Sequence, residues 1–365
     1  MANQYGLPPG SIGVLLGTRP EIIKLAHIIT LLDDAAFLVH TAQHYDPTLS
    51  EIFFADLSLP PPAAFLGVGG ESRGRQIALT LERLEGVLTG HRLQALIVQG
   101  DTNSAAAGAL AANTNGIFLT HIEAGLRSHD RQMPEEHNRI IADHLADLCC
   151  APTELAVANL TGEGIPASRV TLTGNTIVEA VGSLLPAREE RVELLLKYDL
   201  SPGEYVLATF HRPENVDDPA RFRMILEQLA GLSRSVLYPI HPRAAASADR
   251  HRLGGLLAKL AVTEPLGYRQ FLALLAEAAL VVSDSGGIAE EASIVKRPLL
   301  MVRRSTERPE VLGTFATRVE AGPAIGGEAR RMLELGWDHL QDIPSPFGDG
   351  SASRRSLEVL LDRLA

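Results

Sequence analysis

At 365 residues the chain is longer than a single hydrophobic core usually grows, so two domains are expected. Hydrophobic residues make up 45% and charged residues 21%, which argues against long disorder, collagen-like sequence and a coiled coil. A formal net charge of -11 with no segregated basic block argues against nucleic acid or an anionic membrane as partner, while a small phosphate-bearing ligand needs only a few local cations and helix N-termini.

The first ten residues hold no basic stretch leading into an apolar one, and no run approaches the ~18 apolar residues of a membrane span. A soluble, cytoplasmic protein is expected. Cys149 and Cys150 are adjacent in an apolar run, where a mutual disulfide is strained and neither metal nor redox spacing exists, so both read as buried packing residues.

Short apolar runs alternate with amphipathic segments along the whole chain, the pattern of parallel strands joined by helices, so the fold class is α/β. Strands are predicted at 11–16, 36–41, 94–99 and 116–121, with helices at 21–32, 73–88 and 103–112 between them, an order that makes a doubly wound sheet. After a strand at 170–172 come helices at 176–184 and 188–198, broken at Pro186, which read as a linker. A second series follows, with strands at 205–209, 235–240, 280–283 and 298–301. A last helix at 353–364 follows a turn-rich stretch and is not placed by sequence alone. Ligands of such sheets bind beyond the carboxyl ends of the strands, which for two facing sheets means the cleft between them.

The candidate chemistry gathers at those strand ends. Gly17-Thr18-Arg19-Pro20-Glu21-Ile22-Ile23-Lys24 joins a strand to a helix, and Arg19 and Lys24 bring positive charge to its first turns, where a phosphate fits. It is not the glycine-rich dinucleotide fingerprint, which is found behind no strand, so a tightly bound nicotinamide cofactor has no support. Gly100-Asp101-Thr102-Asn103 and His121-Ile122-Glu123-Ala124-Gly125-Leu126-Arg127 put carboxylates at two consecutive strand ends. Pro134-Glu135-Glu136 then opens a helix with Asn138 and Arg139 in its first turns. The plainer reading is that Asp101 and Glu135 are acids at helix N-termini, each worth ~0.3 to 1 kcal/mol.

In the second half, Thr209-Phe210-His211-Arg212-Pro213-Glu214-Asn215 and Pro239-Ile240-His241-Pro242-Arg243 place histidines at strand ends, where a ring can act as acid or base or serve only as a structural hydrogen-bonder. Ser283-Asp284-Ser285-Gly286-Gly287-Ile288-Ala289-Glu290-Glu291 is a strand, a diglycine turn and a helix, whose N–H groups suit a diphosphate and whose acids suit ribose hydroxyls. Thr306-Glu307-Arg308-Pro309-Glu310 supplies a further cation. Unaided, these residues point to an acidic two-domain protein with a phosphate site, carboxylates and histidines, and they choose no reaction.

In order, these segments resemble the non-hydrolysing UDP-N-acetylglucosamine 2-epimerase family from Gly17-Thr18-Arg19-Pro20-Glu21 to Pro346-Phe347-Gly348-Asp349-Gly350. The resemblance implies a glycosyltransferase-B (GT-B) fold of two Rossmann-like domains, 1–176 joined by the C-terminal helix 352–365, and 177–351. It also implies a homodimer, a UDP-amino sugar as substrate, and no cofactor or metal. The implied reaction eliminates UDP to a 2-acetamidoglucal and adds it back with C2 inverted. By motif, Asp101, Glu123, Glu135 and His211 look like the catalytic set, with the face served by each carboxylate left open. Arg19 and Lys24 look like phosphate or sugar contacts, and His241 like a substrate contact. Ser285, Gly286 and Gly287 would take the diphosphate, Glu291 the ribose, Arg308 a place in the cleft, and Phe271 the segment whose backbone reads uracil.

Three departures from the family's pattern stand out. Ala289 replaces a common Gln, from which a local packing change is expected. Tyr45-Asp46 and Pro213-Glu214-Asn215 replace residues common in members activated by their own substrate, which puts that regulation in doubt. The stretch from His211 to Asp217, with Pro239 to Arg243, looks like the branch that includes epimerases of diacetamido uronic acid nucleotides. Hydrolysing epimerases and GT-B glycosyltransferases remain the rival enzymes, and a non-catalytic nucleotide-sugar binder the rival of another class.

Overall fold

Strands buried on both faces of a parallel sheet are near-continuous apolar runs. Ile12–Leu16 (β1), Ala95–Gln99 (β4) and Leu280–Ser283 (β11) are of this kind, buried at every position. The structure, a computed structural model, describes residues 3–43, 54–55 and 57–365. Tyr45 and Asp46 lie outside the described residues.

The first sheet has seven strands in the order β3-β2-β1-β4-β5-β6-β7, where β2 is Ala36–His40, β3 Ala64–Phe65, β5 Phe118–Ile122, β6 Leu148–Ala151 and β7 Val170–Leu172. Its pairings are parallel. The second has six strands in the order β10-β9-β8-β11-β12-β13, also parallel, where β8 is Tyr205–Thr209, β9 Ser235–Pro239, β10 Ala261–Thr263, β12 Leu299–Val302 and β13 Ala316–Val319. Counted from its own first strand, each sheet runs 3-2-1-4-5-6, the doubly wound Rossmann order, with the first sheet adding one strand at its far edge. In each, the connection reverses between the first and fourth strands, so the switch points are β1/β4 and β8/β11.

Contacts divide the chain into one unit of Met1–Ala180 with Phe347–Ala365 and another of Val181–Pro346. Sequence put these boundaries after 176 and after 351. The final helix, Ala352–Leu364, packs in the first unit, where the Ser353 amide and hydroxyl donate to Glu179 and the Asn175 amide donates to the Phe347 carbonyl at 2.8 Å. Cys149 and Cys150 are free thiols buried in β6, where burial pushes both pKa values up. Ala289, buried in the helix Gly286–Ile294, leaves that helix regular. Among the described residues no helix is long and apolar enough to cross a membrane.

Candidate active site

In the first unit the chemistry sits at the switch point. The Gly17-Thr18 turn leaves β1 for the helix Arg19–Leu32, Gly100-Asp101 leaves β4 for the helix Asn103–Thr114, and Glu123 follows β5. Because Gln99 pairs with Ile122, Asp101 and Glu123 leave neighbouring strands at nearly the same level. Thr102 caps the Asn103 helix by accepting the Ala105 amide at 3.0 Å, which sets where Asp101 begins its turn.

Glu123 is buried and holds a positive φ of 67°, a strained conformation for a side chain-bearing residue, costing about 1 to 3 kcal/mol. Its Oε2 accepts from Lys24 Nζ, from Gln99 Nε2 at 3.2 Å and from Asn175 Nδ2 at 3.1 Å. The three donors hold the carboxylate in place and offset the strain. Lys24 is therefore buried against a carboxylate rather than presented at the helix start as the sequence suggested; Arg19, at the start of that helix, is exposed.

Asp101 is about a third exposed and accepts from Arg139 Nη2, one turn into the helix Pro134–Leu145. Glu135, two residues into that helix, is exposed and makes no hydrogen bond or ion pair with Asp101 or Glu123 among the described residues. Its neighbour Glu136 is the buried one: it accepts the Ser128 and His129 amides at 2.9 and 2.8 Å and Arg139 Nη1 at 2.6 Å. Burial opposes its ionisation, but those amides and Arg139 outweigh it and hold the carboxyl below its ordinary range.

Sequence reading gave Glu21 no role. It is buried beneath the Gly17-Thr18 turn and accepts from the Gly17 amide at 3.0 Å, Thr18 Oγ1 at 2.8 Å and Thr102 Oγ1 at 2.7 Å. It thereby ties the β1 turn to the β4 turn. Burial pushes its pKa up to about 7 despite these donors. Its one sequence signal, an acid directly behind a helix-starting proline, is also that of an ordinary N-terminal acid.

In the second unit, His211 follows β8 and Asp284 follows β11, again across the switch point. His211 Nδ1 lies 3.2 Å from Asp284 Oδ1, and Asp284 also accepts the His211 and Arg212 amides and Asn215 Nδ2. Burial works against Asp284 ionising, yet the bond to His211 and its charge, with Asn215, keep its pKa low. An ionised Asp284 accepts from Nδ1 and so orients the His211 ring, leaving Nε2 as its other proton-carrying position. The His241 ring lies 5.7 Å from that of His211, and its Nδ1 accepts the Arg243 amide, so its best-defined role is capping the helix Pro242–Arg250.

The diglycine turn begins the helix Gly286–Ile294 with Ser285 as its cap residue. A Cβ on Gly286 would stand 2.3 Å from Glu307 Oε1 and 2.8 Å from Arg308 Nη1, whereas one on Gly287 meets nothing within 4 Å. The first glycine is thus required by the protein, and the second leaves open space beside the helix start, as a diphosphate needs. Arg308 is nearly buried, with Nε 2.6 Å from Glu290 Oε1 and Nη1 against Glu307, which also takes Arg303 Nη2 at 2.7 Å. It buttresses the turn as part of a buried network, a role that its sequence position did not disclose. Glu291 accepts from Tyr268 Oη at 2.9 Å. The Phe271 amide donates to the Gly267 carbonyl at 2.9 Å, so that N–H is committed to the start of the helix Tyr268–Glu277. Among the described residues no cluster of three or more His, Cys, Asp or Glu is arranged to hold a metal ion.

The family model described as UDP-N-acetylglucosamine 2-epimerase matches residues 33–361. The chain belongs to the UDP-N-acetylglucosamine 2-epimerase family. A UDP-N-acetylglucosamine 2-epimerase of Methanocaldococcus jannaschii is 37% identical over 364 residues, 96% of this chain and 98% of its own. A UDP-2,3-diacetamido-2,3-dideoxy-D-glucuronate 2-epimerase of Pseudomonas aeruginosa is 35% identical, over 95% and 98% of the two chains. The crystal structure of the M. jannaschii UDP-GlcNAc 2-epimerase in complex with UDP-GlcNAc and UDP superposes with a TM-score of 0.87, at 37% identity, over 96% of this chain and 99% of that one. As in this epimerase family, both units of the chain are Rossmann-like.

Proposed function

We propose that the chain inverts C2 of UDP-N-acetylglucosamine to give UDP-N-acetylmannosamine, by eliminating UDP and adding it back. The observation that carries this reading is the pair of carboxylates at the ends of adjacent strands β4 and β5, Asp101 on Arg139 and Glu123 on Lys24, in a chain 37% identical to a relative of that name. The C2 hydrogen has no carbonyl beside it, so simple abstraction would leave an unstabilised carbanion. In an elimination a carboxylate takes that proton, the C–H electrons form the C1=C2 bond, and the C1–O bond breaks with its electron pair leaving on UDP. Re-addition reverses each change with the proton delivered to the other face.

The residues supply what those steps require. Asp101 and Glu123 are the acid and base, with Glu135 as the third candidate carboxylate. Ser285, Gly286 and Gly287 hold the diphosphate, and His211, oriented by Asp284, meets the charge that develops on departing UDP. Arg19 contacts phosphate or sugar. Glu291, backed by Tyr268, holds the ribose, and the Phe271 segment, with its amide already used, contacts uracil by other atoms. The assembly is a homodimer, which sedimentation in solution tests.

Incubation with UDP-N-acetylglucosamine in deuterated water, followed by NMR, decides the reaction. The expected product is the manno epimer with deuterium at C2. Free N-acetylmannosamine with UDP would mark a hydrolysing enzyme. A second reading, epimerisation of a UDP-diacetamido uronate, is favoured by the 35% identical relative and the His211 to Asp217 stretch. Absence of both epimer and deuterium with both nucleotide sugars overturns the assignment.

A further inference from the structure

His121, at the end of β5, is fully buried, and both of its ring nitrogens face oxygen acceptors. Nδ1 lies 2.7 Å from Asp143 Oδ1, and Nε2 lies 2.8 Å from the Gly100 carbonyl oxygen. A carbonyl carries only lone pairs, and so does an ionised carboxylate. A neutral imidazole has one N–H, so it would set a nitrogen lone pair against one of these oxygens; only the imidazolium satisfies both.

The surroundings supply the charge balance that a buried cation requires. Asp143 also takes Arg127 Nη1 at 2.7 Å, and Arg127 takes Glu163 at 2.7 Å, so His121 and Arg127 stand against Asp143 and Glu163. Burial disfavours the Asp143 carboxylate, but His121 and Arg127 more than compensate and keep it ionised. From β6, Cys149 faces the cluster as a thiol, since burial and Asp143 push its pKa up, and Arg169 donates to backbone carbonyls at Asp143 and Ala146.

We propose that His121 is a positioning residue, held as an imidazolium between Asp143 and the Gly100 carbonyl, that fixes the turn carrying Asp101. Gly100 has φ 67°, a left-handed conformation, and its carbonyl direction sets how the next residue leaves β4. The helix Pro134–Leu145 thereby grips this turn twice. Arg139 holds the Asp101 carboxylate, and Asp143, one helical turn later, holds the ring that holds the peptide in front of Asp101. Loss of either ring N–H frees one of the two grips.

The catalytic consequence rests on the epimerase reading, while the protonation state does not. In protein labelled with 15N-histidine, one ring should carry directly bonded protons on both nitrogens at neutral pH, and its signals should vanish in His121→Gln. If no ring does so, the inference is overturned whether or not the variants fold. His121→Asn and His121→Gln each retain one of the two donors, and kcat should fall about 100-fold, as expected when a catalytic group shifts by about an ångström, with UDP affinity unchanged. Folded variants with kcat within about twofold of wild type would remove the positioning role. Wild-type protein without turnover or C2 deuteration, yet with the doubly protonated ring, would count against the epimerase reading alone.

Discussion

Lys24, one turn into the first helix, is buried against Glu123, which follows β5, so the cation of the first strand-helix motif serves the carboxylate of the third. Ion and counter-ion come from segments 99 residues apart. The pair holds Glu123 in its strained backbone conformation while Gln99 and Asn175 complete its coordination.

Breaking a buried pair from one side leaves a charge without its counter-ion. Lys24→Met should therefore cost about 3 kcal/mol by denaturant unfolding, and adding Glu123→Gln should recover part of that loss. A single variant as stable as wild type would mean that the pair contributes nothing.

Asp101→Asn and Glu123→Gln test the proton chemistry. Each should lower kcat by about 100-fold or more while UDP binding, measured by calorimetry, stays near wild type, because the amides keep shape but transfer no proton. Parallel loss of binding and turnover would instead point to a folding role for these carboxylates.

The two glycines of the turn should separate cleanly. Gly286→Ala drives a methyl into Glu307 and Arg308 and should destabilise the fold by about 1 to 3 kcal/mol. Gly287→Ala meets open space, so the fold should tolerate it while UDP affinity falls at least tenfold, the methyl occupying room meant for the diphosphate. Undiminished UDP binding by Gly287→Ala would place the diphosphate elsewhere.

Glu21 gives the fold a pH dependence. Its folded pKa, about 7, is above its unfolded value of about 4.5, so the folded state binds more protons between them. The stability it contributes is fully present below about pH 4.5 and is lost as pH rises through about 7, a change of about 3 kcal/mol. Glu21→Gln keeps a neutral amide in the same cradle and should flatten this slope. An unchanged stability profile between pH 4.5 and 7 in that variant would show that Glu21 is ionised in the folded protein.

Much of the architecture was readable because the physics is local. Buried parallel strands must be apolar runs, so 205–209 and 280–283 were located to the residue, while short edge strands such as Ala64–Phe65 and Ala316–Val319 carry too little pattern to stand out. The turn motifs were legible for the same reason, since a glycine or proline after a strand announces its own geometry.

Sequence by itself therefore determined the α/β class, the two series of strands and the residues at their carboxyl ends. Only the tertiary structure decided which of those residues pair and which are buried: that Lys24 serves Glu123, that Glu136 rather than Glu135 is buried, that Arg308 is held by Glu290 and Glu307, and that Asp284 orients His211. Hydrophobic periodicity is written along the chain, whereas an ion pair depends on strand order and register, which bring distant segments within a few ångströms and leave no mark in either segment alone.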